Sequence, residues 1–239
     1  IACTPPRTFP RGGRDPRPGA AATRAAIIGV PLEPLEPCMN PAAAATVVST
    51  DLVPPSDRLA FWGESMHRLF DGLDCDAYGD AGFDGRFTST QAGDVVLTRL
   101  EANRHRVTRS RSLVRSSSVG YLKIVAPLLG CAQVQQCGRE AQVAPGEWSI
   151  YDTTDSYAVG NPQRVEHLIV RVPKQRLAER GFAVDALMAR CFGARGGVAR
   201  LALETMRSTW RELPGMSPEA ARSAGDAILQ FVQLSLLEI

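Results

Sequence analysis

Residues 131–172 consist of short segments of alternating apolar and polar residues, separated by turns rich in Pro, Gly and Asp. The clearest case is 142–159, QVAPGEWSIYDTTDSYAV, in which the Pro145–Gly146 turn leads into one strand and a polar loop leads into the next. A preceding hairpin is predicted at 131–143, with its turn at Cys137–Arg139. Strands spaced this closely favour a barrel or a sandwich, because a sheet with crossover helices needs longer connections.

The β pattern extends over 86–172. Alternating strands are predicted at 94–100, 119–125 and 164–172. On the last of these, two opposite faces are expected, one with Val165, His167 and Ile169 and the other with Glu166, Leu168 and Val170. Seven to nine short strands suit a small closed barrel or jelly roll.

Helical patterns flank the strands. After Ser56 or Asp57, either of which can cap a helix, apolar residues recur at helical spacing: Leu59, Trp62, Met66, Leu69, Phe70 and Leu73. From residue 174 onward the period is again helical, with short helices predicted at 174–179 and 184–191. Ser217 and Pro218 begin a final amphipathic helix. The predicted fold class is therefore α+β: a jelly-roll-like β-barrel with an N-terminal helix and a C-terminal helical segment.

Residues 1–44 differ from the rest in composition. Nine of the 17 prolines fall within the first 50 residues, together with Ala-rich and Arg-rich runs, so a disordered tail is expected. The barrel with its leading helix is predicted at 45–173 and the helical segment at 174–239. That segment stops at Ile239 inside an apolar helix, and we expect it to be truncated.

Charge and hydropathy narrow the functional classes. A net charge of +2 does not argue for binding to nucleic acid or membranes, and no apolar run is long enough to cross a bilayer. No secretory signal is recognisable. We therefore expect a cytoplasmic protein.

Six arginines and one acid, Glu101, fall between Arg99 and Arg115. Such a segment is typical either of an anion-binding strand or nucleic-acid contact, or of a solvated edge hairpin whose charges prevent edge-to-edge pairing. We favour the edge hairpin, because the aromatic residues needed for base stacking are absent. Arginines that point into a barrel would still be able to hold a carboxylate ligand.

Catalytic and metal-binding motifs are missing. The candidate metal ligands are His105, Glu166 and His167, and no H-x-H or H-x-x-x-H spacing supports them. There is no G-x-S-x-G elbow, phosphate-binding glycine loop or C-x-x-C pair. No catalytic residue, metal or cofactor is therefore predicted. Trp148, Tyr151 and Tyr157 surround the central turn, either as core residues or as the aromatic wall of a small-molecule pocket.

The order of several short motifs resembles the sensor half of AraC-type transcription regulators, in the variety with an AraC-binding-like, cupin-related domain. The resemblance covers about residues 45–239. It is carried by the helix start at 58–62, the basic segment 105–109, the turns at 129–130, 138–140 and 145–147 with Asp152, Val172–Pro173, Leu213–Pro214, and the helix start at 217–220.

This resemblance implies a cupin-like barrel that senses an effector and dimerises within a bacterial regulator. DNA would be bound only through helix-turn-helix units missing from this chain. Ligand contacts are expected from His105, Arg109, Trp148 and Tyr157. The last helix, through Ile228, Phe231 and Leu234, is expected either to mediate homodimerisation or to pack on the barrel. Metal-dependent cupins carry histidines around a P-x-G turn, whereas Tyr157 stands here where one is expected. A cupin-type metalloenzyme and a stand-alone small-molecule-binding module are the alternatives.

Overall fold

A computed structural model describes residues 45–70, 72–80, 82–114, 120–178, 184–193 and 196–238. The predicted tail, 1–44, lies outside the described residues. In chain order the elements are β1 (Thr46–Ser49), α1 (Arg58–Leu69), β2 (Asp74–Asp76), β3 (Gly85–Ala92), β4 (Val95–Ala102), β5 (His105–Arg109), α2 (Arg111–Val114), β6 (Tyr121–Leu129), β7 (Ala132–Gln136), β8 (Arg139–Val143), β9 (Trp148–Asp152), β10 (Tyr157–Asn161), β11 (Val165–Pro173), α3 (Lys174–Ala178), α4 (Val184–Leu187), β12 (Cys191–Phe192), α5 (Gly197–Glu212) and α6 (Pro218–Leu237).

The strands form two antiparallel sheets. The large sheet has seven strands in the order β1-β3-β4-β11-β6-β9-β12, and the small sheet has five in the order β2-β5-β10-β7-β8. The predicted α+β class and jelly-roll-like architecture are confirmed. The two sheets pack as a sandwich, so the expectation of a closed barrel is corrected for the described residues.

Side-chain alternation separates two apolar cores. On β11, His167 and Ile169 face the small sheet, whereas Leu168 and Val170 face away from it, as the sequence predicts. The core between the sheets also receives α1, through Trp62 and Met66. The outer face of the large sheet is covered by α5 and α6, which contribute buried residues such as Met206, Leu203, Ile228 and Val232. Within the described part of residues 45–238, α5 and α6, the large sheet and the small sheet thus form successive layers.

The helix starts agree with the sequence in part. Ser217 caps α6 by accepting a hydrogen bond from the backbone N–H of Ala220, with Pro218 in the first turn. At α1, by contrast, Asp57 makes no side-chain cap, and a 3-10 turn at Pro55–Asp57 precedes the helix. The helix predicted at 184–191 ends at Leu187. Its predicted last residue, Cys191, instead pairs with Ser149 as the start of β12.

The hairpin predicted at 131–143 is confirmed as β7 and β8, joined by Cys137 and Gly138, both with positive φ. The basic segment, however, is not an edge hairpin. β4 and β5 lie in different sheets, and β5 is flanked by β2 and β10. The edge-hairpin interpretation is therefore wrong, and alternate residues of β5 point into the sandwich.

Among the described residues, no helix is long and apolar enough to cross a membrane.

Candidate functional site

An internal cavity of about 30 Å³ lies between the two sheets, below the end of α1. Space of this size holds one or two water molecules and is far smaller than the roughly 300 Å³ of an ordinary ligand pocket. The walls are mainly apolar, with polar groups at both ends. The lining residues are Met66, Phe70, Leu73, Leu100, His105, Val107, Lys123, Val125, Tyr151, Tyr157, Val159, Asn161, His167 and Ile169.

One end of the cavity is formed by a buried His–Asn–His network. Asn161, at the end of β10, lies between His105 of β5 and His167 of β11. Its Nδ2 is 3.1 Å from His105 Nε2, and its Oδ1 is 2.8 Å from His167 Nε2. The remaining ring nitrogens face backbone carbonyls: His105 Nδ1 is 2.7 Å from the oxygen of Asn103, and His167 Nδ1 is 3.2 Å from that of Glu166. All four imidazole nitrogens are therefore occupied within the chain.

Burial controls the protonation of this network. Removal from water lowers the pKa of His105 below its usual 6.5, against the opposing effect of the Asn103 carbonyl. Burial also lowers the pKa of His167 to about 3, and the nearby His105 acts in the same direction. Two edge-on aromatic rings, Trp62 and Phe83, enclose His105 at centroid distances of 6.1 and 6.0 Å. The imidazoles of His105 and His167 are thus both neutral at pH 7.

The opposite end of the cavity carries the amino group of a buried lysine and two phenols. Lys123, on β6, places its Nζ 4.7 Å from the centre of the Phe70 ring and 3.4 Å from the Tyr157 hydroxyl. The rings of Tyr151 and Tyr157 lie 4.7 Å apart. Burial raises the pKa of Tyr151 well above its usual 10, so this phenol stays protonated. The two ends are separated by four residues along β11, or about 13 Å of strand.

The structure brings together only two of the four predicted ligand-contact residues. His105 and Tyr157 both line the cavity, at opposite ends. Arg109 is buried on the same face of β5, where its Nη1 donates a hydrogen bond to the Gly72 carbonyl, 3.0 Å away. Trp148 lies on the other face of the large sheet and does not reach the cavity. Its ring stacks on Phe192 at 4.3 Å, which makes it a core residue against the helices.

The three candidate metal ligands do not converge. His105 and His167 point into the sandwich, whereas Glu166 lies on the opposite face of β11 and pairs with Arg99, with Nη2 to Oε1 at 2.9 Å. Within the described part of the chain, no group of three or more His, Cys, Asp or Glu side chains is arranged to hold a metal ion. The donor set expected of a metal-dependent cupin is therefore not assembled from these residues.

The sequence prediction missed Lys123, Asn161 and Phe70 as cavity residues. Lys123 carried a usable signal, because it is a lysine inside the apolar strand sequence YLKIVAPLL. A charged residue that the strand period turns toward the core is a candidate for function. Asn161 gave no such signal, since it follows a Gly at a strand end and resembles an ordinary turn residue.

With this geometry established, comparison with known proteins decides the family. Residues 62–238 match the AraC-binding-like domain. The chain belongs to this family. It is also 28% identical over 185 residues to the transcriptional activator NphR of Rhodococcus, covering 74% of this chain and 55% of that protein. A protein encoded in the nit 5' region of a Bacillus strain is 26% identical over 132 residues, covering 55% of this chain and 51% of that protein.

The fold of the AraC-binding-like domain is likewise similar to a solved structure. The crystal structure of the AraC-like transcriptional activator CuxR superposes with a TM-score of 0.73 at 16% identity, covering 82% of this chain and 71% of that one. The chain spans about half the length of the curated relatives it matches. Because residues 62–238 match the AraC-binding-like domain, the chain carries the domain that AraC-type regulators use in transcription regulation.

Proposed function

We propose that this chain is the effector-sensing and dimerisation part of a cytoplasmic, bacterial AraC-type transcription regulator, and that it is not an enzyme. The observation that carries the proposal is the amphipathic cavity inside an AraC-binding-like domain. DNA would be bound through a separate part of the full-length protein. The length of the activator NphR, which this chain covers by 55%, supports that division.

The small effector would bind between the sheets, where Phe70, Met66 and Leu73 cover the cavity. Because the present space is only about 30 Å³, binding would require these side chains to move. Met66 lies near the end of α1, and Phe70 and Leu73 follow that helix. The side chains of Met66, Phe70 and Leu73 are the part of the wall that we propose yields to a ligand.

Signal transfer to the helices would use the large sheet. His167 and Ile169 face the cavity, whereas their neighbours Leu168 and Val170 pack against α5 and α6. A shift of β11 on ligand binding would therefore repack the helical layer. A ligand that binds one arrangement better than another biases the population of dimer geometries.

The dimer interface is proposed on the exposed side of the α5–α6 pair. Ile228 is fully buried against the sheet and packs within the chain, so only Phe231 and Leu234 of the predicted set reach the surface. Leu201 and Leu237 are exposed as well. The start of α5 lies beside the end of α6, since a Cβ on Gly197 would sit 3.5 Å from Glu238 Oε2. These side chains supply apolar area for association.

Sedimentation velocity tests the dimer. Leu234→Glu should weaken self-association by at least about tenfold, because it places a charge in the apolar interface. Leu129→Glu is the matched control: Leu129 is also an exposed leucine, but it lies at the end of β6. Equal association of the two variants would remove α6 from the interface.

Effector binding is tested by thermal-shift screening of a small-molecule library against wild type and Val159→Phe. Val159 lines the cavity, and the larger ring should fill the space that a ligand needs. Val159→Ile adds a single methylene and serves as the variant whose folding is least disturbed. Compounds should stabilise wild type and lose this effect in Val159→Phe. If every stabilising compound acts equally on both, the cavity is not the binding site.

The metalloenzyme alternative is less well supported, because His105 and His167 are engaged by Asn161 and backbone carbonyls while Glu166 lies on the other face. The stand-alone binding module differs from our proposal only in lacking a DNA-binding partner domain. Reading the coding DNA beyond codon 239 distinguishes the stand-alone module from the regulator that we propose.

A further inference from the structure

The strand that lines the cavity continues into a helix without an intervening loop. β11 contributes His167 and Ile169 to the cavity wall, and it ends directly before Lys174, the first residue of α3. The backbone N–H of Lys174 donates a hydrogen bond to the Gly120 carbonyl, 3.1 Å away. Leu177, which is 1% exposed, anchors α3 in the apolar core on the helix side of the large sheet. Because no loop separates the two elements, a displacement of β11 moves α3 with it.

One residue of α3, Arg176, contacts α6 at two points. Its backbone carbonyl accepts a hydrogen bond from Gln233 Nε2 at 2.9 Å, and its guanidinium Nη2 pairs with Asp226 Oδ1 at 3.0 Å. Asp226 and Gln233 are about two helical turns apart and therefore lie on the same face of α6. Leu234, in the proposed dimer surface, lies about 100° further around the helix. Arg176 thus contacts α6 on a face that leaves Leu234 exposed.

The other arm of the Arg176 guanidinium reaches the large sheet. Its Nη1 pairs with Asp94 Oδ2 at 2.8 Å, in the turn between β3 and β4. The same turn packs closely on α6, since a Cβ on Gly93 would lie 3.0 Å from Arg222 Cγ. A guanidinium presents its N–H donors in a fixed planar fork, so it can hold two carboxylates at once. A shift of α3 therefore changes the ion pairs to the sheet and to α6 together.

We propose that Arg176 couples the cavity to α6, so that a displacement of β11 by a ligand between the sheets repositions the helix that carries the dimer surface. This inference rests on the proposed function and names the residue through which the signal leaves the sheet. The Arg176 side chain is 41% exposed and that of Asp226 is 55% exposed, and such ion pairs add little to stability by themselves. Arg176 is therefore a positioning residue for α6.

The experiment uses Val159→Phe in place of a bound ligand, because the larger ring fills the cavity and presses on the opposite sheet. Amide hydrogen exchange of residues 226–237 is measured by mass spectrometry in wild type, Val159→Phe, Arg176→Met and the double variant. All four proteins are compared in the same association state, checked by sedimentation velocity. Val159→Phe alone should change exchange in this part of α6 by at least about threefold, equivalent to roughly 0.6 kcal/mol. In the Arg176→Met background, the same substitution should change it by less than about 1.5-fold.

Two further variants separate coupling from a general loss of structure. Asp226→Asn removes the α6 arm alone and should reduce the effect of Val159→Phe as Arg176→Met does, which keeps the test decisive if the arginine variant folds poorly. Arg164→Met is the matched control, because Arg164 is 52% exposed and pairs with Asp84 at 3.1 Å beside the opposite end of β11. It should leave the effect of Val159→Phe on α6 unchanged.

Two results refute the coupling. One is an effect of Val159→Phe on α6 that persists in full in Arg176→Met or in Asp226→Asn. The other is a wild-type background in which Val159→Phe leaves the exchange of α6 unaltered.

Failure of the coupling and failure of the proposed function give different results, because the exchange experiment contains no ligand. If compounds stabilise wild type but not Val159→Phe, and α6 does not respond through Arg176, the cavity senses a ligand and only the coupling is wrong. If α6 responds through Arg176 but no compound distinguishes wild type from Val159→Phe, the coupling stands and the sensing function is wrong.

Discussion

Asn161 Oδ1 lies 2.8 Å from His167 Nε2 inside the sandwich, where both residues are 2% exposed. The same amide reaches His105, so one asparagine joins two imidazoles. Three of the four ring contacts place a nitrogen against an oxygen acceptor, and each such contact requires a ring proton. Two neutral imidazoles carry only two. The network therefore has one proton fewer than its three contacts to oxygen require. A third proton would convert one imidazole into a charged imidazolium, which burial disfavours.

Replacing the bridging amide should destabilise the fold. Asn161→Leu removes the partner of two buried ring nitrogens, and an unsatisfied buried polar group costs about 1–3 kcal/mol. We expect the free energy of unfolding, measured with urea, to fall by about 2–4 kcal/mol. Gln142→Leu, which removes an exposed amide from β8, should change it by less than about 0.5 kcal/mol. Similar losses in the two variants would show that the network is not a stabilising element.

Acidification should destabilise the domain through the two buried histidines. Burial lowers the pKa of both, that of His167 to about 3, whereas the unfolded chain titrates near 6.5. Between these values the unfolded state binds more protons, so the stabilisation is fully present above pH 6.5 and is lost as the pH falls below it. Each histidine contributes a slope of up to about 1.4 kcal/mol per pH unit. Urea unfolding at pH 7.5, 6 and 5 measures this slope.

Two variants test whether the buried histidines cause this pH dependence of the free energy of unfolding. His167→Gln should flatten it, because one of the two titrating groups is gone. Asn161→Asp should reverse it, since a carboxylate about 3 Å from each ring stabilises the imidazolium form and raises the histidine pKa values above 6.5. A wild-type stability that does not change between pH 7.5 and 5 would mean that the histidines are not buried as described.

The sequence predicted the strands well and the site only in part, for a physical reason. Strand alternation placed His167 and Ile169 on one face and Leu168 on the other, because a two-residue period is a local property. It did not reveal that the large sheet buries both faces, between the small sheet on one side and α5–α6 on the other. Trp148, for which the sequence left core and pocket open and which was then expected among the ligand contacts, lies on the helix side. Which face meets the cavity depends on contacts between residues far apart in sequence.

Trp148 should matter for stability but not for ligand binding. Its Nε1 donates a hydrogen bond to the Ala199 carbonyl, 2.9 Å away, and joins β9 to α5. Trp148→Phe loses this bond and leaves space beside Phe192, so we expect a loss of about 1–3 kcal/mol in the free energy of unfolding. Trp210→Phe, at a partly buried position of α5, is the matched control and should lose less. A large change in the affinity of Trp148→Phe for a compound that binds in the cavity would return this residue to the ligand site.

A close approach between α6 and β3 should make Gly225 intolerant of any side chain. A Cβ at this position would lie 2.1 Å from the carbonyl oxygen of Ala92, which is backbone and cannot rotate away. Gly225→Ala should therefore force the helix off the sheet and cost about 1–3 kcal/mol or more. Gly63→Ala, within α1, meets no atom within 4 Å and should instead stabilise by about 0.5–1 kcal/mol, because alanine favours helix. Thermal unfolding of the two variants should shift in opposite directions. Equal shifts would contradict the packing of α6 against β3.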